Sequence, residues 1–122
     1  MKLWSGIVTP HVQASRDFYV RLFGCNIVFE SDWFVLLELG GGEIGFLLPG
    51  LEAQAKPFRA PLQGQGMWIT IDVEDVDATC ARFQQMDVNI EVPLRDEPWG
   101  DRHFVVLDPN GIGVDVVQRR PS

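Results

Sequence analysis

The sequence predicts an α+β fold in which a β-α-β-β-β unit occurs twice in tandem. Each half opens with a short apolar strand, continues with an amphipathic helix and ends in three β-rich runs separated by turn residues. The halves are joined by a segment rich in proline, glycine and glutamine, EAQAKPFRAPLQGQG. We therefore expect a single domain over residues 1–122, with module 1 at about 1–50, a linker at 51–66 and module 2 at about 67–119.

The first module begins with a predicted strand over Lys2–Val8, which ends at the turn signal Thr9-Pro10. A helix follows in ASRDFYVRLFG, where Phe18 and Leu22 recur at helical spacing. Gly24 stands where a C-cap glycine belongs. Three further strands are predicted in NIVFESD, WFVLLELG and EIGFLLP.

The second module repeats this order. MWITIDV reads as a strand, and Asp75 is placed to cap the helix predicted in VDATCARFQQM. Strands are predicted in NIEVP, RHFVVLD and GIGVDVVQ, with Asn110-Gly111 forming a type I′ hairpin turn between the last two. If the two sheets curl toward each other, the faces that the helices leave uncovered enclose a concave pocket.

Composition excludes several function classes. The net charge is −7 and the ten basic residues are scattered, so a nucleic acid would be repelled. No apolar run approaches the roughly 20 residues that cross a membrane, and MKLWSGIVTPH lacks a secretory signal, so we expect a cytoplasmic protein with no membrane partner. Cys25 and Cys80 are expected to be reduced, partly buried thiols.

Three motifs resemble the glyoxalase / bleomycin-resistance / dioxygenase family, also called the vicinal oxygen chelate superfamily. They are ASRDFY-x-x-LFG, VEDVDA and EPWGDRHFVVLDPNG, in that order within the tandem repeat. The resemblance implies a half-open mixed β-barrel around a concave pocket, and frequent homodimers. The family includes metal-dependent lyases, isomerases, dioxygenases and thiol transferases, as well as metal-free proteins that sequester drugs.

The resemblance also implies one metal ligand from the first and last strand of each half. Counting from the motifs places these positions at Trp4 or Ser5, Phe46, Trp68 and Asp115. Three of the four are poor ligands for a divalent metal, and a lone carboxylate does not fix a metal against water. We therefore expect no metal and no cofactor, and interpret Asp115 as a hydrogen-bonded carboxylate in the cavity.

Aromatic rings at these positions favour planar or cationic guests. The polar segment LRDEPWGDRH is expected near the mouth of the pocket, with Trp99 in a mobile flap and Arg95 or Arg102 contacting an anionic group. A solvated surface loop is the alternative. Trp68 could equally fill the core, and Trp33 is expected to do so. The predicted ligand-binding set is Trp4, Phe46, Trp68, Trp99, Arg102 and Asp115.

Two histidines are present in the chain. His11 stands before the first helix and is expected to cap it from outside the pocket, whereas His103 is expected to be solvated or hydrogen-bonded.

Three hypotheses follow. The first is a metal-free, drug-sequestering small-molecule-binding protein, acting as a homodimer. The alternative is a lyase or dioxygenase-like enzyme in which Asp115, the best catalytic candidate, works with Glu38, Glu43 or His103 in acid/base chemistry. The third is a module whose cavity is filled and which acts only through dimerisation.

Overall fold

The computed structural model describes residues 1–119. It contains eight strands, two α-helices and a short 3₁₀ helix at Lys56–Phe58. In chain order the elements are β1 (Ser5–Val8), α1 (Val12–Phe23), β2 (Asn26–Glu30), β3 (Phe34–Leu39), β4 (Gly42–Leu47), β5 (Trp68–Asp72), α2 (Val76–Gln85), β6 (Val92–Asp96), β7 (Asp101–Leu107) and β8 (Gly113–Arg119).

Each module is a mixed four-stranded sheet with one helix. The strand order is β1-β4-β3-β2 in module 1 and β5-β8-β7-β6 in module 2, so the two sheets have the same topology. In both, the first and last strands of the module pair in parallel and the remaining pairs are antiparallel. The predicted α+β fold with tandem β-α-β-β-β modules is confirmed.

The contacts within the chain group it into two compact units, Met1–Gln63 and a second that begins at Gly64. Most of the predicted linker therefore belongs to the first unit. The Leu62 N–H donates to the Val8 carbonyl at 2.9 Å, which ties the linker to β1.

Helix α1 covers one face of the module-1 sheet. Tyr19 projects from the helix and stacks on Phe46 of β4, with ring centroids 5.5 Å apart. Val35 and Leu37 of β3 lie on the same face and are fully buried. Burying side chains of this size stabilises the fold by about 1.5–3 kcal/mol each, so this layer anchors the module.

Helix α2 covers the module-2 sheet in the same way. Its Phe83 packs edge-on against Phe104 of β7, with centroids 5.6 Å apart. Cys80 of this helix and Cys25 in module 1 are free and buried, as the sequence predicts. Burial raises the pKa of both thiols, and that of Cys25 rises to about 11.

Two of the three predicted helix ends are confirmed. Gly24 adopts the left-handed conformation, with φ 69°, and ends α1. The Asp75 carboxylate accepts the Ala78 N–H at 3.0 Å and begins α2. His11 is at the N-cap of α1, but its side chain makes no capping bond, so the expected capping role is wrong.

The turn between β7 and β8 differs from the prediction. Leu107 pairs with Gly113, which leaves a loop over residues 108–112 instead of a two-residue type I′ turn. Asp87 is the one non-glycine among residues 1–119 with positive φ, so Asn110 lacks the conformation that a type I′ turn needs. The buried Asp108 carboxylate shapes the loop, accepting the N–H groups of Asn110 at 2.8 Å and Ile112 at 3.0 Å.

Neither helix within residues 1–119 is long and apolar enough to cross a membrane.

Replacing Asp108 tests this account of the turn. Asp108→Ala leaves two backbone N–H groups of the loop without their acceptor, and we expect the free energy of unfolding to fall by about 1–3 kcal/mol in urea denaturation. Asp108→Asn keeps an acceptor oxygen and is expected to cost less than the alanine variant. Equal losses in the two variants would contradict the role assigned to the carboxylate oxygen.

Candidate functional site

Each sheet has a helix face and an opposite face, which we call the open face. Because side chains alternate along a strand, Ile7 and Phe46 of module 1 are buried against α1, whereas their neighbours point the other way. The open face of module 1 carries Trp4, Gly6, Val8, Phe34, Gly45 and Leu47. This face is rich in aromatic side chains and contains two adjacent glycines.

The open face of module 1 holds a recess of about 460 Å³, which we call the module-1 recess. Aromatic and aliphatic side chains dominate its lining, and no charged residue contributes to it. The lining residues are Trp4, Gly6, Ile7, Val8, Trp33, Phe34, Leu47, Gln54 and Phe58.

Two paired glycines create the space for this recess. Gly6 of β1 is the register partner of Gly45 of β4. A Cβ atom at Gly45 would lie 2.9 Å from the Phe34 ring and 3.0 Å from the Trp4 ring, which is closer than real contacts allow. The missing side chain at Gly45 therefore lets both rings lie close to the sheet. A Cβ atom at Gly6 would meet nothing within 4 Å, so the recess is open above β1.

The segment after β4 forms another wall of the recess. Arg59 fastens this segment, since its Nε donates to the Gln54 carbonyl at 2.6 Å and its Nη2 to the Glu52 carbonyl at 3.1 Å. The 3₁₀ helix places Phe58 at the recess. The Gln54 side-chain amide makes no hydrogen bond to any residue in 1–119, which leaves a donor and an acceptor for a guest.

The open face of module 2 is polar. Nδ1 of His103 lies 2.6 Å from Oδ1 of Asp115, and its Nε2 lies 3.6 Å from Oε1 of Glu97. Glu97 is also paired with Arg95, and hydrogen bonding to that guanidinium holds the pKa of Glu97 below its usual value. The Nε2 atom is buried and has no hydrogen-bond partner among the described residues. His103 thus lies between two carboxylates.

Arg102 lies on the helix face of module 2, not at the rim of a pocket. Its guanidinium donates two hydrogen bonds to Asp77 of α2, at 2.8 and 3.0 Å, and lies 3.4 Å from Asp96. These carboxylates raise the pKa of Arg102 further. The expected contact with an anionic ligand is corrected accordingly, because Arg102 ties the β6–β7 hairpin to the helix.

The segment LRDEPWGDRH forms a hairpin between β6 and β7. β6 begins at Val92 and extends to Asp96, and the Glu97 N–H donates to the Asp101 carbonyl at 2.8 Å to close the turn. Trp99 is at this turn, 68% exposed, and its indole N–H donates to Asp101 at 3.1 Å. It therefore stands on the surface of the hairpin.

Phe46 does not line an open cavity. It is 0% exposed and packs on the helix face, so its expected place among the ligand-binding residues is corrected. The strand registers explain the error. Thr70 pairs with Asp115 in module 2 as Gly6 pairs with Gly45 in module 1, so Gly45 is the counterpart of Asp115.

The residues at the four repeat-related positions do not fit a divalent metal. They are Trp4, Gly45, Trp68 and Asp115, of which a single side chain can coordinate. No cluster of three or more histidine, cysteine, aspartate or glutamate residues capable of holding a metal occurs within residues 1–119. These four positions therefore do not supply the donor set of a divalent metal site.

Glu38 and Glu43, the glutamates expected as acid/base partners of Asp115, lie in the first unit and bind other residues of that unit. Glu38 accepts a hydrogen bond from Asn26 at 2.9 Å, which contributes to the lowered pKa of its carboxyl. Glu43 pairs with Lys2.

Of the nine residues that line the module-1 recess, the sequence predicted Trp4 as ligand-binding and missed the other eight. Trp33 was expected in the core, but it is 43% exposed and lines the recess. Phe34, Gln54 and Phe58 were not singled out. The alternating pattern in WFVLLELG could have placed Phe34 on the opposite sheet face from Val35. Gln54 and Phe58 lie in a segment with no periodicity, so no such signal was available for them.

The chain is similar to one protein family. The model of the Glyoxalase/Bleomycin resistance protein/Dioxygenase superfamily matches residues 3–116. No curated protein matches the chain.

Several solved structures share the fold. A lactoylglutathione lyase from Agrobacterium tumefaciens is 22% identical with a TM-score of 0.78, and the match covers 95% of this chain and 92% of that one. A glyoxalase/bleomycin resistance protein/dioxygenase from Nocardioides is 19% identical, with a TM-score of 0.81 and coverage of 100% and 88%. TnmS3, an antibiotic-binding protein from Streptomyces sp. CB03234, is 24% identical, with a TM-score of 0.69 and coverage of 98% and 94%.

Replacing Gly45 tests how the recess is built. In Gly45→Ala the new methyl group displaces the Trp4 and Phe34 rings, and we expect a changed near-ultraviolet circular dichroism spectrum and a stability loss of about 1–3 kcal/mol. Gly42→Ala is the matched control on the same strand, because its Cβ would make an ordinary contact at 3.5 Å. If both variants keep the native spectrum, the rings do not depend on Gly45.

Proposed function

The chain belongs to the Glyoxalase/Bleomycin resistance protein/Dioxygenase superfamily, and we propose that it is a small-molecule-binding member that holds an apolar, planar ligand without a metal. The observation that carries this proposal is the module-1 recess. Its volume of about 460 Å³ is within the range of small-molecule sites. Apolar walls with a few placed polar groups are typical of such sites.

The lining determines the chemistry of the proposed ligand. Trp4, Trp33, Phe34 and Phe58 offer ring faces on which a planar ligand can stack, each good contact contributing about 0.5–1.5 kcal/mol beyond area burial. The absence of charged lining residues and the net charge of −7 favour a neutral or cationic ligand over an anion. The Gln54 amide would fix the orientation of a ligand that carries a carbonyl or N–H edge.

A relative supports binding as the function. TnmS3 shares the fold and is described as an antibiotic-binding protein. Of the residues predicted from the sequence, Trp4 belongs to the proposed site, whereas Trp68 and Asp115 lie on the open face of module 2.

The proposal includes a homodimer. All five residues of β2 are exposed, and three of them, Ile27, Val28 and Phe29, are large and apolar. Exposed apolar surface of this kind is typical of an interaction site. Sedimentation or light scattering of the full chain measures the oligomeric state, and a monomer at all concentrations would contradict this part of the proposal.

A second candidate function is a lyase or dioxygenase-like activity. The observation that favours it is the short Asp115–His103 hydrogen bond, which is typical of acid/base pairs, together with the fold shared with a lactoylglutathione lyase. Turnover of an oxygen-rich substrate that is lost in Asp115→Asn would support this candidate. Turnover that is unchanged in that variant would exclude Asp115 as the catalytic residue.

Nile red, a neutral planar dye, tests ligand binding to the recess. We expect it to quench tryptophan fluorescence, with or without a metal chelator, and to bind more tightly than the anionic dye anilinonaphthalene sulfonate. Trp33→Leu removes a stacking surface and is expected to weaken Nile red binding by about fivefold. Gly6→Phe fills the recess and is expected to abolish binding.

Trp99→Leu is the matched control, because it removes an exposed tryptophan outside the recess and should leave the affinity unchanged. Binding that survives both Trp33→Leu and Gly6→Phe would place the dye elsewhere and contradict the proposal. Binding that the chelator abolishes would show that a metal is needed.

A further inference from the structure

The open face of module 2 carries a carboxylate that is only partly engaged. One oxygen of Asp115 lies 2.6 Å from His103, and the side chain is 27% exposed. No lysine or arginine within residues 1–119 pairs with Asp115. Its second oxygen is therefore available to a hydrogen-bond donor from outside the protein.

Two other carboxylates on the open face of module 2 are paired with guanidinium groups. Glu97 is paired with Arg95, and Asp72 of β5 accepts a hydrogen bond from Arg119 at 3.1 Å. Each of these two acidic side chains has its own guanidinium. Asp115 has an imidazole instead, so no guanidinium offsets its charge.

An aromatic ring lies on the same face of the sheet as this carboxylate. Trp68 is 70% exposed, yet its indole N–H donates to the Thr70 hydroxyl at 2.9 Å. Thr70 is the register partner of Asp115, and Trp68 is two residues earlier on the same face. Strand spacing and rise put the Trp68 and Asp115 Cα atoms about 8 Å apart. The hydrogen bond holds the indole ring next to Thr70, the residue that pairs with Asp115.

We propose that Asp115 and Trp68 form a binding site for a protonated amine on the open face of module 2. The carboxylate accepts an N–H of the ammonium group, and the indole face contributes a cation–π contact. This site uses none of the residues of the module-1 recess, and it does not depend on the function proposed for that recess.

His103 is a positioning residue for this site. It holds one oxygen of Asp115 and leaves the other free, while its own Nε2 is enclosed near Glu97. The hydrogen bond from His103 therefore fixes the orientation of the Asp115 carboxylate.

The charged groups that face His103 come from the neighbouring elements of the same face. They are Asp115 of β8, Arg95 of β6, Glu97 of the following turn, Asp101 of β7 and Asp72 of β5.

The test uses benzylammonium and its neutral analogue benzyl alcohol, with the full chain labelled with ¹⁵N. The indole N–H signals of the four tryptophans report where each probe binds, and single Trp→Phe variants assign them. We expect benzylammonium to shift the Trp68 signal and benzyl alcohol to leave it unmoved. Nile red, in contrast, is expected to shift the Trp4 and Trp33 signals of the recess, so the two proposals succeed or fail separately.

Variants separate a specific site from general charge attraction. Asp115→Asn keeps an acceptor for His103 but loses the charge, and we expect benzylammonium to bind about tenfold more weakly. Asp72→Asn removes the same charge from the same face and is expected to change affinity less than about twofold. Trp68→Leu should weaken binding by about two- to fivefold.

His103→Gln and His103→Leu test the positioning role, because glutamine can donate a hydrogen bond to Asp115 and leucine cannot. We expect benzylammonium to bind His103→Gln within about twofold of the wild-type affinity and His103→Leu about fivefold more weakly. Equal losses in Asp115→Asn and Asp72→Asn, or a Trp68 signal that ignores benzylammonium, would overturn the proposed site. Equal affinities in His103→Gln and His103→Leu would overturn the role of His103.

Discussion

The packing of one helix on one face of each sheet is the constraint on which the rest of the structure depends. Tyr19 on Phe46 and Phe83 against Phe104 commit one set of alternating side chains to the interior of each module. The intervening side chains then have to point to the other face, and a slip of one residue would exchange the two sets. The positions of Gly45 and Asp115 on the open faces follow from this packing.

The two modules share a topology, but the side chains on their open faces differ in chemistry. Where module 1 has Gly45, which leaves room for aromatic rings, module 2 has the carboxylate of Asp115 held by His103. Both positions have the same strand register relative to the first strand of their module. The open face of each module can thus change independently of the other, because the residues that differ there are not part of the helix-covered layer that stabilises the module.

The sequence predicted the fold well because period and turn signals are local. The order of helices and strands followed from the spacing of apolar residues. Gly24 ends α1 and Asp75 begins α2, as expected. The site was harder to predict from the sequence, because it depends on which face of the sheet each side chain occupies. The prediction assigned Phe46 to the open-face position that Gly45 holds, but Phe46 is one residue later on the strand and therefore lies in the core. Arg102 pairs with Asp77, which is 25 residues away along the chain, and no local sequence pattern reveals such a pair.

The two buried thiols have a practical consequence. A thiol reacts as the thiolate, and a Cys25 pKa of about 11 leaves only a minute fraction of that form at neutral pH. The raised pKa of Cys80 suppresses its reaction in the same way. A cysteine introduced at Gly6, where a side chain has room, would therefore be the preferred point of chemical labelling, so that an environment-sensitive fluorophore attached there could turn the molecule into an optical sensor.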